Sequence, residues 1–97
     1  MSTKDFIEQL NKELNITLII KENKNISNLG NIFYEGVEIC ACPFIDIYED
    51  VRPEYKTTFP GDREVAHPST IIIKSKIISF LDRWNNEPDF KETMLDK

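Results

Sequence analysis

Residues 31–42 read NIFYEGVEICAC. Two apolar-rich runs, 31–35 and 37–42, meet at Glu35-Gly36. Gly36 supplies the positive φ that a tight hairpin turn demands, so this stretch predicts an antiparallel strand pair. Along the second strand, simple alternation puts Val37, Ile39 and Ala41 on one face and Glu38, Cys40 and Cys42 on the other. Residues two apart on a strand lie about 6.5–7 Å apart, too far for an unstrained disulfide. Cys40 and Cys42 are therefore expected to remain thiols that pack as small hydrophobes.

Working outward, residues 3–14 (TKDFIEQLNKEL) predict an amphipathic helix. Phe6, Ile7, Leu10 and Leu14 fall on one face of a 3.6-residue period. Ser2 can cap it, Asp5 completes a capping-box-like start, and Asn15 is a natural stop. The β-branched run 16–20 (ITLII) predicts a strand, and the Asn-rich stretch 22–30 a loop.

After the hairpin, Pro43 must sit at an edge, bulge or bend, with Phe44, Ile45, Ile47 and Tyr48 extending or re-entering the sheet. Residues 55–59 (YKTTF) predict one further short strand, and 59–62 (FPGD) a type II turn. A second helix opens at His67-Pro68-Ser69-Thr70, where Ser69 or Thr70 can satisfy an orphan amide. Its core stripe is Ile73, Ile77, Phe80, Leu81 and Trp84. Pro88 starts a short final helix carrying Phe90 and Met94, and residues 85–97 dock on the body or fray. The sum is an α+β fold: a two-layer sandwich, order α-β-β-β-(β)-α, with an antiparallel sheet covered by helices on one face.

A chain of 97 residues makes one domain. With 40% hydrophobic and 30% charged residues it suits a globular protein rather than a disordered one. No apolar run approaches the roughly 18–20 residues of a membrane span, and the start lacks an apolar signal region. The expectation is a cytoplasmic protein without membrane contact. Fourteen Ile, nine Lys and eight Asn are all residues with A/T-rich codons, which fits a bacterial or phage source. Twelve basic against seventeen acidic residues give a net charge of −5. That balance repels phosphate backbones and disfavours direct nucleic-acid binding.

One C-x-C and one histidine, His67, fall short of the paired ligands of structural zinc, so no metal and no cofactor is expected. Neither cysteine has a Gly-rich elbow or oxyanion-type turn beside it, and no phosphate-binding glycine loop exists. The acids lack the alternate ligands and mid-loop Gly of an EF-hand. A domain this small also offers little room for a sugar cleft. The reading is not an enzyme.

What stands out is Asp46, Glu49, Asp50, Glu54, Asp62 and Glu64, with Tyr48 and Tyr55 interleaved. Tyrosine gives rigid contact area, and carboxylates steer encounter with Lys and Arg. These eight residues are the candidate partner-binding set. They point to a small acidic binding module that inhibits a basic, nucleic-acid-handling protein such as a nuclease, in the manner of an anti-CRISPR, another anti-defence protein or a toxin's immunity protein. The alternative is an oligomeric structural or regulatory module that self-associates through an edge strand or the C-terminal tail.

Overall fold

A computed structural model describes residues 1–49 and 69–96. The expected strand 55–59, the turn 59–62 and His67 lie outside the described residues. The chain runs α1 (Thr3–Leu14), β1 (Leu18–Glu22), β2 (Leu29–Tyr34), β3 (Val37–Pro43), α2 (Thr70–Asn86) and α3 (Pro88–Leu95). The strands form an antiparallel sheet in the order β1-β2-β3. This is the expected α+β architecture.

The α1 helix keeps the bounds its period dictates. Ser2 Oγ accepts from the Asp5 amide at 3.4 Å, and Asn15 ends the helix at φ 55°. The first strand starts two residues later than its β-branched run suggests. Ile16 donates its N–H to the Asn11 carbonyl at 3.1 Å, so it completes the helix end instead of entering the sheet. At the far end, pairing continues through Lys21 and Glu22, which face Asn31 and Gly30. Gly30 is required by packing: a Cβ there would lie 2.7 Å from Ile20 Cδ1 and 3.2 Å from Phe44 Cδ2.

The β2–β3 turn holds both Glu35 (φ 49°) and Gly36 (φ 82°) in the left-handed region, as a two-residue type I′ turn requires. Beyond it the simple alternation fails. Ile32 faces Cys40 but Phe33 faces Glu38, leaving Ile39 as the extra residue of a β-bulge. The bulge reverses the parity, so Val37 joins the helix-facing side together with Cys40 and Cys42. Ile39, expected on the opposite face, packs against the core as well.

Both long helices cover that one face. Phe6, Ile7 and Leu10 of α1 meet Leu18, Ile32, Cys40, Cys42, Ile47, Ile73 and Ile77 in one buried cluster. A second cluster of Val37, Phe80 and Trp84 receives Phe90 and Met94 from α3. Phe80 stacks on Trp84 at 5.5 Å and meets Phe90 edge-on at 5.5 Å. Burying such aromatic groups contributes about 2–3 kcal/mol each, which fastens α3 to α2. Among the described residues no helix is long and apolar enough to cross a membrane.

Candidate protein interface

The candidate acids begin where the sheet ends. β3 stops at Pro43, and the chain leaves the sheet rather than extending it. The reason is a set of backbone partners remote in sequence. Phe44 donates to the Asn28 carbonyl at 3.1 Å and Ile45 to Asn28 Oδ1 at 2.9 Å. Thr3 then donates to the Ile45 carbonyl at 3.2 Å, and Ile47 to the Met1 carbonyl at 3.0 Å. Buried Thr3 adds its hydroxyl to the Pro43 carbonyl at 2.7 Å. On the other side, Thr70 donates its N–H to Tyr48 O at 2.7 Å and its hydroxyl to Glu49 O at 3.0 Å. The segment is thus laced to the first residues of both α1 and α2.

This lacing fixes which side chains go in and which go out. Ile47 is 2% exposed and anchors the segment in the core. Asp46 and Glu49 are exposed, and Tyr48 is 39% exposed. Three of the sequence-identified residues therefore stand together on an ordered backbone: Asp46, Tyr48 and Glu49. Asp50, Glu54, Tyr55, Asp62 and Glu64 lie outside the described residues.

Glu49 also lines an open groove of about 300 Å³ between the start of α2 and the flank of α1. Phe6 and Leu10 form its floor, and Met1, Gln9, Glu13, Thr70, Ile71 and Lys74 complete its walls. Met1 and Ile71 are 45% and 54% exposed, so the groove carries apolar surface beside its acids. Lys74 Nζ meets Glu13 Oε1 at 2.7 Å, a partly exposed pair of modest worth. Glu13, Met1 and Ile71 were not among the residues singled out by sequence. The signals were present: Gln9 and Glu13 are an i, i+4 pair on the flank of α1, and Ile71 is a large apolar residue off the α2 core stripe.

The cysteines sit elsewhere. Both are thiols outside any disulfide, buried on the core side of β3. Burial, and secondarily the charge of Cys40, push the Cys42 thiol from 9.0 up to about 12. A thiol held neutral in this way is a poor nucleophile. Among the described residues no three His, Cys, Asp or Glu side chains are grouped to hold a metal ion. Ser69 caps α2 only by position: its backbone carbonyl accepts from Ile73 at 3.1 Å, while its buried hydroxyl has no partner among the described residues. Thr70, the other expected cap, spends its hydroxyl on Glu49 O.

Compared with models of known families, with curated proteins and with solved structures, the chain matches none.

Proposed function

We propose that this chain is a non-enzymatic binding module that recognises a basic protein through the exposed edge Asp46-Tyr48-Glu49 and inhibits it by covering its basic surface. One observation carries the reading. The backbone of residues 45–49 is hydrogen-bonded to the starts of two helices, while Asp46, Tyr48 and Glu49 are exposed, Tyr48 by 39%. A contact edge already held in place loses little conformational freedom on binding, which favours affinity. The adjacent groove, lined by exposed Met1 and Ile71 as well as by Glu13 and Glu49, adds apolar surface beside the acids.

The net charge of −5 supports the choice of partner. A protein that handles nucleic acid carries positive potential where phosphates lie, and an acidic surface is drawn there. In the sequence, Asp50, Glu54 and Tyr55 continue the same run, and Asp62 and Glu64 follow it. Inhibitors of nucleases, anti-CRISPR and other anti-defence proteins, and immunity proteins share this logic of occupying a phosphate-binding surface. Affinity capture at low and high salt, with the charge-reversed variant Asp46→Lys/Glu49→Lys alongside, tests the reading.

A further inference from the structure

The opposite flank of α2 has the opposite character. Ile39 of β3, Ser75, Lys76, Ser79, Phe80 and Arg83 of α2, and Phe90 of α3 enclose a shallow groove of about 390 Å³. Among the described residues its lining contains two cations and no carboxylate, in a chain whose net charge is −5. Phe80 and Phe90, 5.5 Å apart and edge to face, form an apolar floor with Ile39. The Arg83 guanidinium lies 4.0 Å from the centroid of the Phe90 ring, which holds it over the groove. Its Nε engages Glu87 Oε2 at 3.3 Å. Among the described residues its remaining N–H groups and the Lys76 ammonium have no anionic partner, and the hydroxyls of Ser75 and Ser79 have no hydrogen bond.

We propose that this groove binds a short acidic peptide segment of a partner protein, carrying an apolar side chain between two carboxylates. Charge and spacing select that occupant. Lys76 and Arg83 are seven residues apart on α2, about 10 Å along the axis. In a peptide in the polyproline-II conformation, three residues per turn put residues i and i+3 on one face about 9 Å apart. Two carboxylates at that spacing meet Lys76 and the Arg83 fork, and a side chain between them lies over Phe80, Phe90 and Ile39. Ser75 and Ser79 then supply hydrogen bonds to the peptide backbone. A nucleic-acid strand would find the same rings and cations, but a phosphate on every nucleotide meets more repulsion from the chain's net charge of −5 than two carboxylates do. This surface is separate from the acidic edge, so either can fail without the other.

The test uses the intact chain as bait for a displayed library of random seven-residue peptides, with Lys76→Glu/Arg83→Glu as the paired bait. Enriched peptides are expected to share two acids three positions apart with an aromatic or aliphatic residue between them. They are expected to lose at least tenfold in affinity for the double variant. In amide spectra of the labelled chain, a synthetic peptide from the pool should shift Ser75, Ser79, Arg83 and Phe90 and leave Asp46 and Glu49 in place. Enrichment without an acidic bias, equal binding to the double variant, or no enrichment overturns the proposal. So does saturable binding of a twenty-nucleotide oligothymidylate at these residues in place of the peptides.

Discussion

The side chain of Asn11 acts as a missing strand for Leu18: its Oδ1 accepts from the Leu18 N–H at 2.7 Å and its Nδ2 donates to the Leu18 carbonyl at 3.2 Å. Since both backbone groups of Leu18 are taken this way, they point away from β2, along the open edge of the sheet. The same residue's backbone carbonyl accepts from Ile16. Asn11 therefore sets where α1 ends, where β1 begins, and how much of the β1 edge stays open to a second chain.

Asn11→Ala is expected to cost about 1–3 kcal/mol, because it leaves two partly buried backbone groups of Leu18 without partners. Asn11→Asp keeps the acceptor and loses the donor, and should fall between. Urea unfolding checks the order. Light scattering on Asn11→Ala should also show more self-association than wild type, because the edge is then uncapped.

Glu35 occupies the left-handed region at φ 49°, where a non-glycine side chain costs about 1 kcal/mol or more. Glu35→Asn gives the Asn-Gly pair that type I′ turns prefer. It is expected to raise Tm by about 3–6 °C, given about 4–8 °C per kcal/mol at this size. A lowered Tm would mean that Glu35 makes a compensating contact.

The hairpin, α1 and the core stripe of α2 were legible in the sequence because each is encoded by residues close together. Gly36 marks the turn, and Phe6, Ile7 and Leu10, like Ile73, Ile77 and Phe80, repeat at the helical period. The bulge at Ile39 was not legible. Val37 to Cys40 contain no glycine or other marker of an inserted residue, so alternation placed Val37 and the cysteines on opposite faces. The path of residues 44–49 was equally hidden, since its partners are Met1, Thr3, Asn28 and Thr70. Of the candidate site, sequence identified Asp46, Tyr48 and Glu49. It missed the groove wall from α1, because only the fold sets Glu13 and Glu49 along one groove.

Ser69→Ala is expected to leave stability within about 0.5 kcal/mol of wild type. The buried hydroxyl makes no cap hydrogen bond to α2 and has no partner among the described residues, so its removal forfeits no cap. A working N-cap lost to alanine would cost about 1 kcal/mol. Chemical denaturation distinguishes the two outcomes.

The raised thiol of Cys42 makes stability fall in alkali. The unfolded thiol ionises near 9.0 and the folded one near 12, so above pH 9 the unfolded state releases a proton the folded state keeps. The contribution is fully present below pH 9 and is lost as pH rises towards 12. Cys42→Ala should flatten that alkaline limb, measured as urea midpoint against pH. Native protein at pH 8 should also react with a thiol reagent far more slowly than unfolded protein.

The central claim is that the edge Asp46-Tyr48-Glu49 recognises a basic partner. It is tested most directly by capture from lysate of the source cells with wild type and Asp46→Lys/Glu49→Lys, after both are shown to melt alike. One basic protein is expected to be held by wild type at low salt, released near 1 M salt where the Debye length is about 3 Å, and absent from the variant. Recovery of the same partner by both chains, retention at 1 M salt, or recovery of nothing but the chain itself would contradict it.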